Sequence, residues 1–238
     1  MSPATMTAMD LFTPFHERPP YDSVRFERDI AYGTDSRNRM DICVADCVQP
    51  GDKRDVLVFL HGGGFVRGDK KLPDSPYHDN VALWAARNGM IGMNMTYRLA
   101  PEHVYPSGVE DVAAVVEWLH KNIETYGGNT GRIFLFGSSA GAIHIACYLA
   151  SLDIAEDAPV AGVVLQSGSY DLTVFDGSGN VGDYFGSDVT KYAEMSPQAS
   201  LVEGRTPALY VFTEFDMAVI EKDHPLPRHH LPAPQPSL

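Results

Sequence analysis

The chain alternates short apolar runs with helix-like segments, and this alternation constrains its fold more than any other feature. The strand-like runs cover residues 24–32, 39–44, 56–60, 90–97, 133–136, 160–165 and 208–212. The helix-like segments cover residues 75–88, 107–126 and 140–152. Runs such as Val-Leu-Val-Phe-Leu at 56–60 are typical of strands buried on both faces. The pattern predicts an α/β domain over residues 26–220, with a mainly parallel sheet and helices on both faces.

The composition is that of a folded, acidic protein. Of its 238 residues, 44% are hydrophobic, which is enough for a sizeable core. Lys and Arg number 18 against 31 Asp and Glu, giving a formal net charge of −13, and the basic residues form no cluster. Such a surface argues against nucleic acid and anionic membranes as partners. It favours a small neutral molecule as the ligand.

The chain shows no targeting segment, and its cysteines are not paired in sequence. The first 22 residues lack the basic stretch and apolar run of a secretory leader, and no run approaches 18 apolar residues. Cys43, Cys47 and Cys147 form no C-x-x-C pair. These observations predict a cytoplasmic protein with free thiols. We expect residues 1–25 to form an irregular lead-in or small cap, and the proline-rich residues 221–238 to form a tail.

A strand-like run leads directly into Gly137-Ser138-Ser139-Ala140-Gly141 and then into a helix-like segment. This is G-x-S-x-G in a strand–turn–helix context, where small flanking residues allow a sharp turn that presents the central hydroxyl. Free N–H groups at the start of the following helix favour a developing anion nearby. A phosphate-binding loop or an ordinary tight turn is the alternative. The placement favours Ser139 as a nucleophile.

Three consecutive glycines follow the apolar run that ends at residue 60, in the sequence His61-Gly62-Gly63-Gly64-Phe65. Without Cβ atoms, their backbone N–H groups can approach a ligand closely. Such donors stabilise the oxyanion of a tetrahedral intermediate. A flexible loop or a nucleotide-binding turn is the alternative, but the Lys-Ser/Thr of a P-loop does not follow. We interpret His61 as a hydrogen-bonding anchor of the loop and not as a general base.

An acidic group follows the last strand-like run, in Thr213-Glu214-Phe215-Asp216. Hydrolases with a G-x-S-x-G turn carry their triad in the order serine, acid, histidine, and this position fits the acid. Asp216 would orient the imidazole and stabilise its cation, with Glu214 as the second candidate. A solvated loop carboxylate is the alternative.

These motifs resemble those of α/β-hydrolases of the hormone-sensitive-lipase type and of their relatives, the kynurenine formamidase-like esterases. The resemblance covers approximately residues 25–220. Besides the motifs above, it rests on Tyr97-Arg98-Leu99-Ala100-Pro101-Glu102, Tyr105-Pro106, Glu110-Asp111 and Gly127-Gly128-Asn129.

The resemblance implies the α/β-hydrolase fold and a carboxylesterase acting on a small-molecule ester, with no metal and no organic cofactor. It implies that Ser139 is the nucleophile and Asp216 the triad acid. It further implies that the N–H groups of Gly63, Gly64 and Ala140 form the oxyanion hole. A short lead-in implies a small cap or none, which favours small acyl groups.

Three other features have simpler interpretations. By the same resemblance, Arg98 and Glu102 anchor a segment that supports the site. Cys43 and Cys47 have no second pair with which to bind a metal, so we interpret them as structural thiols. Residues 175–185 are rich in Gly and Asp but lack the spacing of a calcium loop, and we expect a substrate-facing loop there.

The triad histidine of the family follows one further helix and strand beyond the acid. Here 22 residues follow Asp216, and the last 18 contain five prolines, which fit neither element. We therefore expect the final helix and strand to be absent, leaving a sheet edge able to pair between copies as a homo-oligomer. His224 is the candidate base; the alternative is that it, His229 and His230 are solvent-exposed.

Three functions therefore remain open. The first is a serine carboxylesterase that hydrolyses short-chain acyl esters through an acyl-enzyme. The second is an arylformamidase-like amide hydrolase that uses the same site. The third is a truncated or impaired hydrolase-fold protein that lacks the catalytic histidine. Comparing ester with formamide hydrolysis separates the first two, and turnover that depends on Ser139 excludes the third.

Overall fold

The structure is a computed structural model and describes residues 9–152, 159–213 and 216. Seven strands within these residues form one sheet. They are β1 (Val24–Ala31), β2 (Arg39–Ala45), β3 (Arg54–Leu60), β4 (Ile91–Met95), β5 (Gly128–Ser138), β6 (Gly162–Gln166) and β7 (Ala208–Val211). Each strand overlaps one of the apolar runs expected to form strands.

Six α-helices lie wholly within the described residues. They are α1 (Asp79–Arg87), α2 (Ser107–Asn122), α3 (Ala140–Ala150), α4 (Gly179–Phe185), α5 (Tyr192–Met195) and α6 (Gln198–Glu203). The described part of the lead-in contains a 3-10 turn at Thr13–Phe15, preceded by a helical turn at residues 9–12. No helix in the described ranges is long and apolar enough to cross a membrane.

The strand order is β1-β2-β4-β3-β5-β6-β7. The last five strands in this order run parallel, whereas β2 is antiparallel to both β4 and β1. Helices α1, α2 and α3 connect successive parallel strands, as a parallel sheet requires. This confirms the expected α/β fold with a mainly parallel sheet. The carboxyl ends of β3, β5, β6 and β7 therefore lie along one edge of the sheet.

Helices cover both faces of this sheet. Along β2, Met40, Ile42 and Val44 are buried in the larger core cluster, whereas Cys43 between them belongs to a smaller one. The larger cluster includes apolar residues of α2 and α3, and the smaller includes those of α1. Because successive strand residues point to opposite faces, the two clusters lie on opposite sides of the sheet.

The strand β7 differs from the expectation of a buried strand. Its residues Ala208 and Leu209 are exposed, with 59% of Leu209 accessible. Among the described residues, β7 pairs with β6 along one edge only. Apolar composition alone does not distinguish an edge strand from a central one. The expectation that the final helix and strand are absent concerns residues 217–238, which lie outside the described residues.

Several element boundaries also differ from the sequence-based ones, and two elements start four or more residues away from the predicted position. The strand β5 starts at Gly128 instead of residue 133, because its ladder with β3 reaches the pair Arg54 and Gly128. The helix α1 starts at Asp79 instead of residue 75. Residues 73–78 form turns before it.

Candidate active site

The strand β5 passes into the helix α3 through Ser139, whose backbone has φ 53° and ψ −118°. A positive φ is strained for a residue with a Cβ, and such strain is concentrated at functional sites. The Ser139 N–H donates to the Gln166 carbonyl at the end of β6 (2.8 Å), and its own carbonyl accepts the N–H of Ala142 (2.9 Å). These backbone hydrogen bonds hold the turn in place. The half-buried hydroxyl is therefore not needed to stabilise it.

The glycines on either side of Ser139 are required by close packing. A Cβ on Gly137 would fall within 3 Å of the backbone of Ala142, and one on Gly141 within 3 Å of the Leu60 carbonyl. Backbone atoms cannot rotate away as a side chain can, so neither position accepts a larger residue without a shift. The G-x-S-x-G spacing is therefore explained by the approach of α3 to the ends of β5 and β3.

The loop that follows β3 lies directly against Ser139. A Cβ on Gly62 would stand 3.2 Å from the Ser139 Cβ. Gly63 and Gly64 have φ 138° and 60°, values that glycine adopts readily. Within the described ranges, no carbonyl or side chain accepts the N–H groups of Gly63, Gly64 or Ala140. Three unpaired donors thus lie on the two segments that flank Ser139.

His61 is fully buried at the start of this loop. One ring nitrogen, Nδ1, lies 2.7 Å from the Gly62 carbonyl, and the other, Nε2, lies 3.0 Å from the Thr96 hydroxyl. The Tyr97 ring stacks on the imidazole at 4.4 Å and donates its hydroxyl to the His61 carbonyl (2.8 Å). Burial lowers the pKa of His61 to about 3. Both nitrogens are engaged by groups other than Ser139, as an anchoring role requires.

Asp216 lies just beyond β7, and its carboxylate has three donors. They are the Ser167 hydroxyl (2.9 Å), the Thr213 N–H (2.9 Å) and the Thr213 hydroxyl (2.8 Å). Ser167 is at the end of β6, with a φ of 54°, and lines the same cavity as Ser139. The structure therefore brings Asp216 next to the site through Ser167. Glu214 lies outside the described residues.

A cavity of about 260 Å³ opens beside Ser139. Its lining combines the glycine loop, the turn at Ser139, the end of β6 and the segment around α4: Gly64, Phe65, Ser139, Ala140, Ile143, Ser167, Ser169, Phe175, Ser178, Asn180 and Val181. The segment at 175–185 thus borders the cavity, as expected of a substrate-facing loop. Most of the lining is apolar, which is typical of pockets that bind small organic molecules.

Arg98 joins the loop after β4 to the helix α2. Its backbone N–H and Nε donate to the buried Asp111 carboxylate (2.8 and 2.9 Å), and its Nη2 donates to Glu110 (2.9 Å). Asn38 donates a further hydrogen bond to Asp111 (2.9 Å). The expectation for Glu102 is wrong, because its side chain is exposed and has no hydrogen-bond partner among the described residues. The acidic partners of Arg98 come from the helix because its first turn faces the loop.

The described histidines lack the contacts that a general base for Ser139 would need. In the described ranges, no hydrogen bond joins a histidine to Ser139 or Asp216. His144 is fully buried between the rings of Tyr97 and Tyr184, and burial lowers its pKa to about 3. The candidate base, His224, and its neighbours at 229 and 230 lie outside the described residues.

Two polar residues at the cavity have no counterpart in the sequence analysis. Ser167 was missed because a serine after a strand is common, and only the fold brings it to Asp216. Asn180 was missed because it lies at the start of α4, beside serine and glycine, in a stretch that the sequence predicted to be a loop. Its amide nitrogen approaches Gly64 so closely that a Cβ there would stand 2.6 Å from it. Neither Gln166-Ser167-Gly168 nor Ser178-Gly179-Asn180 matches a pattern that would have identified these residues.

The cysteines Cys43, Cys47 and Cys147 are free, and burial raises the pKa of Cys43 and of Cys147 to about 12. In the part of the chain that the structure describes, no group of three His, Cys, Asp or Glu side chains is arranged to hold a metal ion.

Comparison with known proteins identifies a family that fits this geometry. Residues 57–203, more than half of the chain, match a family model described as alpha/beta hydrolase fold. The chain is 36% identical over 123 residues to esterase LipI of Mycobacterium tuberculosis, covering 52% of this chain and 36% of that protein. It is 36% identical over 126 residues to carboxylesterase NlhH of the same organism, covering 52% and 37%.

The chain therefore spans little more than a third of the length of these curated relatives. Among solved structures, esterase B of Lactobacillus rhamnosis superposes with a TM-score of 0.64 at 18% identity, covering 88% of this chain and 70% of that one. At that identity the likeness shows a shared fold.

Proposed function

This chain belongs to the alpha/beta hydrolase fold family, of the hormone-sensitive-lipase type, and on that premise we propose that it is a serine carboxylesterase for short-chain acyl esters. One observation carries the proposal. Ser139 lies in a strained turn that lines a small, mostly apolar cavity, close to the N–H groups of Gly63, Gly64 and Ala140, which have no acceptor among the described residues. Acyl transfer to a hydroxyl requires free N–H donors nearby, because they stabilise the oxyanion that forms.

In the proposed reaction, Ser139 Oγ attacks the ester carbonyl carbon while a histidine takes the hydroxyl proton. The three N–H groups donate hydrogen bonds to the oxyanion that forms. The intermediate then collapses, the bond from carbon to the alcohol oxygen breaks, and the histidine returns the proton to the leaving alcohol. Water attacks the acyl-enzyme by the same route and releases the acid. His224 is the proposed histidine.

Asp216 is proposed to orient that histidine. An ionised carboxylate next to the imidazole holds the ring in one tautomer and stabilises its cation. The three donors from Ser167 and Thr213 support this role, because they fix the carboxylate and still leave it capacity to accept another hydrogen bond.

The size of the cavity supports short acyl chains. A volume of about 260 Å³ accommodates an acetyl or butyryl group with its alcohol but not a long fatty chain. The names of the curated relatives, an esterase and a carboxylesterase, support ester substrates in general.

The test is steady-state hydrolysis of p-nitrophenyl esters from acetate to dodecanoate, with wild type, Ser139→Ala and the matched variant Ser151→Ala. Ser151 is a serine at the end of α3, outside the cavity. We expect the highest kcat/KM for acetate and butyrate, at least a 10³-fold loss in Ser139→Ala, and no change in Ser151→Ala.

Equal rates for wild type and Ser139→Ala in a folded protein would exclude the proposal and leave a hydrolase fold without a working triad. Faster Ser139-dependent turnover of an aryl formamide than of butyrate would instead identify an amide hydrolase using the same site.

A further inference from the structure

The glycine loop after β3 folds back on itself and is held from outside by Arg37. A Cβ on Gly68 would overlap the Gly62 carbonyl oxygen, so the two ends of the loop are in contact. Arg37, in the turn between β1 and β2, donates from Nη2 to the Gly68 carbonyl (2.8 Å) and from Nε to the Tyr97 carbonyl (2.7 Å). The same Nη2 donates to the Thr96 hydroxyl oxygen. One guanidinium therefore contacts the loop and the end of β4 at once.

The direction of each hydrogen bond in this group is determined by chemistry. The Gly62 carbonyl can only accept, so Nδ1 of His61 carries the proton and donates to it (2.7 Å). Nε2 is then unprotonated and accepts the Thr96 hydroxyl proton (3.0 Å). The Thr96 oxygen in turn accepts from Arg37, which is always charged. The bonds run in one sense, from Arg37 through Thr96 and His61 to Gly62.

This series of hydrogen bonds ends at the Gly62–Gly63 peptide group, whose N–H is one of the proposed oxyanion-hole donors. The Gly62–Gly63 peptide is not among the cis bonds of the chain, so its carbonyl and the Gly63 N–H point in opposite directions. Holding the carbonyl on His61 therefore aims the Gly63 N–H away from the ring. The same loop packs against Ser139, where a substrate oxygen would lie.

We propose that Arg37 is a positioning residue for the oxyanion hole, acting through Thr96 and His61 to fix the Gly62–Gly63 peptide and through Gly68 to close the loop. This inference rests on the proposed function and names a residue that controls it. Arg37 does not touch the substrate. It orients an N–H donor that acts mainly in the transition state. Loss of Arg37 should therefore lower kcat and leave KM nearly unchanged.

The first experiment compares the esterase kinetics of Arg37→Ala with those of Arg39→Ala. Arg39 lies on the same hairpin, but among the described residues its side chain donates hydrogen bonds only to the carbonyls of Asp35 and Asn38 and to no group of the glycine loop. We expect Arg37→Ala to lower kcat about 100-fold with little change in KM, because a small misplacement of a catalytic donor has an effect of this order. Arg39→Ala should retain wild-type kcat.

Two Thr96 variants separate positioning from general stability. Thr96→Val removes the hydroxyl at nearly constant shape and should lower kcat, whereas Thr96→Ser keeps the hydroxyl and should restore it. A loss in Arg37→Ala that appears in KM alone, or a Thr96→Val enzyme as fast as Thr96→Ser, would overturn the proposal.

A second measurement does not depend on turnover, so failure of the esterase proposal and failure of this one can be told apart. ¹⁵N NMR of the histidine rings reports which nitrogen of His61 carries the proton. We expect an Nδ1–H tautomer in wild type and in Ser139→Ala, with His61 signals that shift in Arg37→Ala and stay in place in Arg39→Ala. A His61 protonated on Nε2 in the folded wild type would refute the inference even in an active esterase.

Discussion

At the scale of single residues, the site depends on backbone strain that packing maintains. Ser139 has a positive φ, which costs about 1–3 kcal/mol and persists only where the surroundings enforce it. The surroundings here are the Gln166 carbonyl, which accepts the Ser139 N–H, and the glycines at 137 and 141, which let α3 approach. The position of the Ser139 hydroxyl is thus set by the packing of neighbouring residues and not by the backbone preference of serine.

A methyl group on Gly141 tests this packing. In Gly141→Ala the Cβ would meet the backbone of Leu60 and His61 within 3 Å. We expect a loss of about 1–3 kcal/mol in the free energy of unfolding, measured with urea, together with reduced turnover. Gly131→Ala is the control, because among the described residues its Cβ would come within 4 Å of the Asn129 side chain alone, at 3.4 Å. Equal stability of the two variants would show that the turn has more room than the structure indicates.

The burial of His144 predicts a pH dependence of stability. Its pKa in the folded protein is lowered to about 3, whereas an unfolded histidine titrates near 6.5. Between these values the unfolded chain binds a proton that the folded chain does not, so stability is full above pH ~6.5 and falls as the pH is lowered. His61 contributes in the same direction.

Replacing His144 with phenylalanine should remove its share of this dependence. The site is surrounded by the rings of Phe65, Tyr97 and Tyr184, and the His144 Nε2 has no hydrogen-bond partner within the described ranges, so an aromatic apolar ring suits it. Urea unfolding between pH 7 and 5 should show a slope smaller by up to about 1.4 kcal/mol per pH unit in His144→Phe. Ile145→Val, a buried change without a titrating group, should keep the wild-type slope, and an unchanged slope in His144→Phe would contradict the argument.

Residue-scale prediction from the sequence succeeds where the chemistry is local. The glycines at 137 and 141 and the serine between them lie within one turn, so their spacing already describes the bend. Ser167 and Arg37 form hydrogen bonds with residues dozens of positions away, and no spacing in the sequence predicts such contacts. Glu102 was expected to anchor the segment after β4 because it belongs to the same motif as Arg98, yet the fold leaves its side chain exposed, and Asp111 and Glu110 bind Arg98 instead.

At the scale of elements, the helix α2 is fixed to the sheet by one buried carboxylate. Asp111 accepts two hydrogen bonds from Arg98 and one from Asn38, so it joins the start of α2, the loop after β4 and the β1–β2 turn. Only 3% of its side chain is accessible, and removal of one member of such a buried pair leaves the other uncompensated.

The pair Asp111 and Glu110 allows a matched comparison, because both bind Arg98 from successive positions of α2. We expect Asp111→Ala to lower the free energy of unfolding by about 3 kcal/mol. Glu110→Ala should lower it by less than about 1 kcal/mol, because the Glu110 side chain is 61% exposed. Thermal and urea unfolding measure both, and a larger effect in Glu110→Ala would place the anchor at the surface pair instead.

Element-scale prediction from the sequence identified every strand of the described sheet but not the bounds of each. Residues 128–131 contain two glycines and look like a turn, yet tertiary pairing with Arg54 recruits Gly128 into β5. Periodicity also could not order the strands or place β2 antiparallel to β4, since both facts depend on contacts between distant segments. The local sequence therefore predicts that a strand or helix forms, whereas contacts with other elements determine where it begins and ends.

At the scale of the whole molecule, we propose that copies of the chain associate through the region of β7. This strand pairs with β6 along one edge in the described residues, and Leu209 on it is 59% exposed. Exposed apolar residues on an edge strand favour pairing between molecules. The net charge of −13 opposes association, so the effect should strengthen with salt.

Sedimentation velocity at low and physiological ionic strength tests this association. We expect wild type to form a larger species as protein concentration and salt increase, and Leu209→Lys to remain smaller. Val202→Lys is the control, since Val202 in α6 is similarly exposed, at 61%, but lies outside the sheet. A wild type that stays monomeric throughout, or an equal effect of both substitutions, would exclude β7 as the contact.

The peptide group between Gly62 and Gly63 is polarised by its hydrogen bond with His61. Its carbonyl already accepts a hydrogen bond from His61, and an amide whose oxygen is so engaged shifts electron density away from its nitrogen, which makes the N–H a stronger donor. As negative charge grows on a substrate oxygen, the bond at the nitrogen and the bond at the oxygen therefore strengthen together. The anchor that aims the donor would also increase its acidity, so the hydrogen bond responds most at the moment when charge develops.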